Sequence, residues 1–285
     1  MTMFMALALA FGPAQTISIS GELAFLAPSP AGQELALVTR EGVLYTWSPD
    51  KPPVKVADSV IAWGVSWSPD GSGLAFVRNG RITLASKGKI TWSSQRFARP
   101  GYPAWAGGEL AYTGDGFLFI GEERFPGFFL VATISPNPVT REIAYTDIEG
   151  KFLLSFNPST GRTDTLFSDP EGLALFAPQW SPDGRHLIVC RAGPGFWIWN
   201  AETRKPKLVS PGEAPSWSPD GLRVAYQVSR DDGHNILSSE LYILDILSGR
   251  SEKLPGEPDR LMPRFGGNAV YYLTMDGKAG FLIVD

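Results

Sequence analysis

The pentapeptide Trp-Ser-Pro-Asp-Gly occurs three times in this chain, and it limits the folds that the chain can adopt. The copies begin at Trp67, Trp180 and Trp217, and a short apolar run typical of a β-strand follows each of them. Proline fixes its own φ, serine and aspartate bond nearby backbone N–H groups, and glycine accepts a positive φ. Each copy therefore predicts a tight turn between two strands. The aspartates and glycines expected in these turns are Asp70, Gly71, Asp183, Gly184, Asp220 and Gly221.

Weaker copies of the motif fill the gaps between the three complete ones. Trp105 and Phe265 take the tryptophan position in two of them, and Ile134 is expected to take it in a third. The separation is 38 residues from Trp67 to Trp105, and 37 residues from Trp180 to Trp217. A further copy lies at residues 28–32, which gives seven copies with a period near 40 residues.

This period, with about four short strands in each unit, is typical of a β-propeller in which each unit forms one blade. We predict an all-β, seven-bladed β-propeller with four antiparallel strands per blade, and six blades as the alternative count. The last copy shows only three candidate strands. We expect residues 16–20 to supply its fourth strand and so close the ring. Each motif tryptophan, or its replacement, should fill the wedge between two blades.

The motif and the strands that follow it resemble the TolB-type, WD-repeat-like propeller repeat. The resemblance rests on the pentapeptide, on the later strand Leu241–Asp245 and on the glycine turn after it. It covers nearly the whole chain after residue 20. It implies protein binding and a periplasmic or extracytoplasmic location. The TolB propeller has six blades, which is the basis of the alternative blade count.

The first residues of the chain differ in character from the repeats. An unbroken apolar run from Phe4 to Phe11 precedes Gly12, Pro13 and Ala14, in the manner of a secretory signal peptide and its cleavage site. We predict a signal peptide over residues 1–14 and a single propeller domain over residues 15–285. The run is too short to span a bilayer. The alternative, a first strand that pairs within the fold, would leave the protein in the cytoplasm.

Charge and histidine content restrict the functions that we expect. The net charge is -4, and the basic stretch Arg204–Lys207 is short, so nucleic acid is not an expected partner. Metal-dependent polysaccharide lyases of related propeller type use several histidines, whereas this chain has only His186 and His234. We expect His186 on a solvated strand face and Asp169 in a solvated loop. We predict no catalytic residue, no metal site and no cofactor.

The residues expected at the mouth of the central channel form the remaining candidate binding surface. In a propeller, the segments that lead into the innermost strands line one mouth of the central channel, and here they carry aromatic and arginine residues typical of protein-binding patches. The alternative is that these side chains fill the channel or the blade interfaces. The predicted binding residues are Trp63, Arg99, Tyr102, Phe128, Phe176 and Arg260.

The leading hypothesis is a non-catalytic, protein-binding scaffold of the cell envelope, which reaches a membrane only through a complex. A metal-assisted lyase or hydrolase that acts on a glycan in the channel mouth is the competing hypothesis. An accessory subunit that fills space in a larger assembly is the third.

Overall fold

The computed structural model describes residues 14–17, 19–49 and 51–284, and these residues contain strands and turns but no helix. The strands form seven separate four-stranded antiparallel sheets. The predicted seven-bladed propeller is therefore confirmed, and the six-bladed alternative is wrong. Of the predicted signal peptide, only Ala14 is described, and residues 1–13 lie outside the described part of the chain.

Every blade has an innermost strand beside the axis and three further strands that follow outward. The innermost strands are β2 (Leu23–Pro28), β6 (Val60–Trp67), β10 (Ala104–Ala106), β14 (Ile134–Pro136), β18 (Leu175–Trp180), β22 (Glu213–Trp217) and β26 (Arg260–Gly266). The second strands are β3 (Leu35–Thr39), β7 (Gly73–Arg78), β11 (Glu109–Gly114), β15 (Ile143–Thr146), β19 (His186–Arg191), β23 (Arg223–Asp231) and β27 (Ala269–Thr274).

The two outer layers complete the blades. The third strands are β4 (Leu44–Ser48), β8 (Arg81–Ser86), β12 (Gly116–Ile120), β16 (Leu153–Asn157), β20 (Phe196–Asn200), β24 (Ile236–Asp245) and β28 (Ala279–Ile283). The outermost strands are β5 (Lys51–Ala57), β9 (Lys89–Ser93), β13 (Glu123–Phe128), β17 (Arg162–Phe167), β21 (Pro206–Val209), β25 (Ser251–Lys253) and β1 (Gln15–Ile17).

Burial follows this layering. The second strands are packed on both faces by neighbouring blades, so β3 is buried along its whole length. The outermost strands face solvent, and β9 is exposed along its whole length. The hydrophobic core is accordingly divided among the spaces between blades; one cluster, for example, joins Phe25 and Val38 of blade 1 to Val65 and Phe76 of blade 2.

The ring is closed by β1, the first described strand. It pairs antiparallel with β28, with Gln15 opposite Phe281 and Ile17 opposite Ala279. The Ile17 side chain is only 2% exposed and belongs to a cluster that also contains Leu23 of blade 1. Blade 7 is thus assembled from sequence-distant segments, as predicted, although the closing strand begins one residue before the expected range.

The turn chemistry of the motif is the same in its complete copies. In the first copy, the Ser68 hydroxyl donates to Asp70 Oδ1 over 2.6 Å and accepts from the backbone N–H of Gly73 over 2.9 Å. The glycines of the three turns have φ values of +71°, +71° and +72°. Serine and aspartate therefore hold each turn, while the left-handed backbone requires glycine at its last position.

Blade 4 departs from the expected alignment of the motif. Trp67 lies opposite Leu74 in its blade, and Pro136, rather than Ile134, takes the same place opposite Ile143. Ile134 instead lies two residues earlier, opposite Tyr145. The predicted alignment was wrong because a shift of two residues returns a strand side chain to the same face, and hydrophobic alternation cannot distinguish the two registers.

Candidate binding site in the central channel

The innermost strands surround a central cavity of about 840 Å³ that is lined by residues from all seven blades. Its wall is mainly aromatic, proline and small side chains. Phe25 and Trp63 contribute from blades 1 and 2, Tyr102 from blade 3, and Phe176 from blade 5. No Asp, Glu, Lys or His side chain borders the cavity within the described residues.

Bulges shape the entrance of several innermost strands. In blades 5, 6 and 7 the ladder is interrupted beside an X-Pro pair, and the residues before proline, Ala177, Ala214 and Met262, have φ values of +49°, +49° and +54°. A bulge bends its strand and changes the direction of nearby side chains. In blade 5 the residue directly before the bulge is Phe176, which is 49% exposed.

Three of the six predicted binding residues come together at this cavity. Trp63 and Phe176 are 47% and 49% exposed, and Tyr102 is half-buried. The Trp63 ring meets the Phe25 ring in an edge-to-face contact, with centroids 5.5 Å apart. Large apolar rings that remain exposed beside a cavity are available to a partner.

The other three predicted residues do not line this cavity. Arg260 is buried, and its guanidinium donates hydrogen bonds to the backbone oxygens of Leu254, Pro255 and Glu257. Phe128 is 4% exposed and packs against the rings of Tyr145 and Phe156 in blade 4. Arg99 is exposed beside a separate concavity of about 500 Å³. Phe128 ends the outermost strand β13, Arg99 precedes the innermost strand β10, and the Arg260 side chain at the start of β26 bonds to the backbone of the preceding segment.

The position directly before the motif tryptophan lies on the innermost strand of every blade. Its seven occupants, defined by the strand register, are Ala27, Ser66, Ala104, Ser135, Gln179, Ser216 and Arg264. All of them except Ser216 border the cavity. Six are small or uncharged, and Arg264 alone carries a charge. Arg264 was not among the predicted binding residues, although alignment of the seven repeats shows it as the one charged residue at this position.

Arg264 is held at the wall by its backbone surroundings. Its Nη1 donates to the carbonyl oxygen of Pro263 over 2.9 Å and, more weakly, to that of Ala214 over 3.4 Å. The guanidinium carbon lies 6.0 Å from the centroid of the Phe25 ring. Burial lowers the pKa of Arg264, yet an arginine remains protonated in proteins. No carboxylate of the described residues forms an ion pair with it.

Comparison with known proteins agrees with this architecture. Over 98 residues, the chain is 32% identical to the Tol-Pal system protein TolB of Alcanivorax borkumensis, a match that covers 32% of the chain and 20% of that protein. The β-propeller domain of Myceliophteria thermophila Cps50 (Swd1) superposes with a TM-score of 0.71 and 16% identity, covering 96% of this chain and 100% of that domain. This chain is a seven-bladed β-propeller that resembles TolB in sequence over 98 residues.

A chain from the mitotic checkpoint complex superposes on this propeller equally well, with a TM-score of 0.71 and 17% identity over 94% of this chain and 92% of the other. At such low identity, the structural matches show the fold alone. The chain spans about a fifth of the length of the TolB protein that it matches. No protein-family model matches the sequence.

Two polar residues of this propeller lie in surroundings that differ from the prediction. Asp169, expected in a solvated loop, is buried, where its Oδ2 accepts a 2.8 Å hydrogen bond from Trp197 Nε1. Burial opposes its ionisation, but the bonds from Trp197 and from backbone N–H groups, with the charge of Arg191, keep the pKa of Asp169 below its ordinary value. The prediction of a solvated loop was wrong because the Asp169 carboxylate lies 3.5 Å from Nε of the buried Arg191. The sequence of the loop does not reveal this contact.

His186, expected on a solvated face, is half-buried beside Trp217, with ring centroids 6.1 Å apart. Its Nε2 lies 3.1 Å from Asn200 Nδ2. Burial lowers the pKa of His186 and favours its neutral form. The prediction failed because the strand face that carries His186 is covered by the next blade.

Among residues 14–17, 19–49 and 51–284, no three His, Cys, Asp or Glu side chains gather in an arrangement suited to a metal ion. The same part of the chain contains no helix with the length and apolar character needed to cross a membrane.

Proposed function

We propose that this TolB-like propeller is a non-catalytic, protein-binding scaffold of the cell envelope that binds its partner at the mouth of the central channel. The observation that carries the proposal is the exposure of Trp63 and Phe176, 47% and 49%, beside a cavity lined by every blade. Tryptophan and other aromatic side chains contribute much of the binding energy at protein interfaces.

Two further observations support the proposal. The similar protein TolB is named for the Tol-Pal system, and a structurally similar chain belongs to the mitotic checkpoint complex. The apolar run from Phe4 to Phe11 resembles an export signal and favours an envelope location.

The binding surface can be tested with a matched pair of variants. Wild-type protein, the double variant Trp63→Ala/Phe176→Ala and the control Trp92→Ala are immobilised and exposed to an envelope extract of the source organism. Trp92 is the control because it is 42% exposed on the outermost strand of the blade that carries Trp63. We expect a protein that wild type and control retain equally and that the double variant loses by about tenfold or more, the effect of removing a binding hot spot. Equal retention by all three proteins would contradict the proposal.

Location and catalysis need separate measurements. N-terminal sequencing of native protein should begin at Gln15, and an intact Met1 would contradict export. The competing hypothesis, metal-assisted cleavage of a glycan, predicts glycan turnover by the purified protein when divalent cations are supplied. Such turnover, abolished by a chelator, would contradict the non-catalytic assignment.

A further inference from the structure

We propose that Arg264 makes the central channel a binding site for a carboxylate group carried by a segment of the partner protein. This inference rests on the proposed function, because it assumes that a protein partner reaches the channel mouth. It adds the chemistry that the cavity recognises.

The propeller architecture does not itself require a charge at this position. The equivalent residue is alanine in blades 1 and 3 and serine in blades 2, 4 and 6. A guanidinium placed in an apolar cavity is desolvated at a cost unless it is paired. Among the residues that the structure describes, those that line the cavity offer it no counter-charge. A ligand could therefore supply the missing negative charge.

The guanidinium is only partly used by the protein. It has five N–H donors, and the bonds to Pro263 and Ala214 both come from Nη1. Nε and Nη2 donate no hydrogen bond to the described residues. These two nitrogens form one edge of the guanidinium, and such an edge binds both oxygens of a carboxylate in parallel.

The surroundings of Arg264 favour this pairing. The Phe25 ring, 6.0 Å away, provides a cation–π contact that helps to hold the guanidinium in place. Trp63, Tyr102 and Phe176 make the rest of the cavity largely apolar. Attraction between opposite charges is stronger in such a low-dielectric space than at an open surface.

Charge and size point to a carboxylate of a peptide segment. The described lining residues carry one positive charge, which a monoanionic carboxylate matches. A phosphorylated side chain instead brings a charge of about −1.5 to −2. The cavity of about 840 Å³ lies within the usual range of ligand clefts, roughly 300–1,000 Å³. A short segment with apolar neighbours fits such a space, but a folded domain does not.

The test uses three short peptides and isothermal titration calorimetry. The first is acetyl-Ala-Phe-Ala with a free C-terminal carboxylate, and the second is the same peptide as its neutral amide. The third is acetyl-Ala-Phe-Asp-Ala amide, whose only charge is a side-chain carboxylate. We expect at least one acidic peptide to bind about tenfold or more tightly than the neutral amide, as a charge-assisted pair of hydrogen bonds predicts. Comparison of the two acidic peptides identifies the source of the carboxylate.

Variants assign this preference to Arg264. Arg264→Gln should remove the preference for acid over amide, and Arg264→Lys should retain part of it because the charge remains. The control is Arg124→Gln, since Arg124 is also stacked on a phenylalanine, Phe117, with 3.5 Å from the guanidinium carbon to the ring centroid, but lies on an outermost strand. The control should bind all three peptides as the wild type does.

Three results would overturn the inference: equal binding of acid and amide, an unchanged preference in Arg264→Gln, or no measurable binding of any peptide. The comparison of acid with amide on wild-type protein needs no variant, so it remains decisive even if Arg264→Gln does not fold. The proposed function would fail separately, if the Trp63→Ala/Phe176→Ala variant kept the partner. If that variant loses the partner while acid and amide bind alike, only the carboxylate inference is wrong.

Discussion

The indole Nε1 of Trp217 donates a 3.0 Å hydrogen bond to the backbone oxygen of Gln179 in the preceding blade. Trp67 makes the same bond, 2.9 Å long, to the backbone oxygen of Ala27. In these two copies the motif tryptophan joins two blades by a polar bond as well as by the packing of its ring. In the other tryptophan copies, Trp105 and Trp180, the buried Nε1 has no partner among the described residues.

Removing this bond should weaken the fold measurably. Trp217→Phe loses the donor together with one ring of the indole, and we expect it to lower the free energy of unfolding by at least about 1 kcal/mol. Trp217→Ala also loses the packing of the ring and should cost about 3–5 kcal/mol. Denaturant-induced unfolding measures both values. Trp92→Phe, at a 42% exposed site, is the control and should be nearly neutral, and equal stability of Trp217→Phe and wild type would contradict the bond.

Closure of the ring by β1 depends on the side chain of Ile17. Because Ile17 is 2% exposed within the cluster that joins blades 7 and 1, Ile17→Ala should lower the free energy of unfolding by about 2–5 kcal/mol. Ile90→Ala is the matched control, since Ile90 is 42% exposed on an outermost strand, and it should change stability by less than about 0.5 kcal/mol. Equal stabilities of the two variants would show that β1 does not close the ring in solution.

Acid should destabilise the folded protein at the first motif turn, because protonation of Asp70 weakens the hydrogen bonds that its carboxylate accepts. The hydroxyl of Ser68, then the backbone and hydroxyl of Ser72, lower the pKa of Asp70 from 3.8 to about 2. The unfolded chain therefore takes up the proton at higher pH than the folded protein, so the stabilisation is present above pH 3.8 and is lost as the pH falls through about 2. Thermal unfolding across this range should show a smaller pH dependence for Asp70→Asn than for wild type. Identical slopes would contradict the assignment.

The single cysteine should be unreactive in the folded protein. Burial raises the pKa of Cys190 to about 12, so at about pH 8 only roughly one thiol in ten thousand is ionised, and the thiolate is the reactive form. A chromogenic disulfide reagent should modify the native protein far more slowly than the same protein in guanidinium chloride. Comparable rates in the two conditions would mean that Cys190 is accessible.

Part of the candidate site could be predicted from sequence. Trp63, Tyr102 and Phe176 were expected at the channel and border it, because each lies a few residues before a motif position in the chain. Phe128 and Arg260 were expected there too but are buried elsewhere. The number of residues between a side chain and the motif does not reveal whether that side chain reaches the channel or is buried between blades.

The repeat spacing by itself determined the number of blades and the four strands in each. This was possible because the turn residues and the alternation of apolar and polar residues are local properties, which each copy of the motif carries within a few residues. The closing strand was also predictable, because the last repeat was one strand short and an exposed sheet edge favours pairing. Only the tertiary structure decided which side chains meet across blades. Examples are the hydrogen bond from Trp217 to Gln179, the burial of Asp169 and the charge that Arg264 brings to the channel. Each depends on contacts between residues tens of positions apart or more. Those contacts exist only after the blades have packed into a ring.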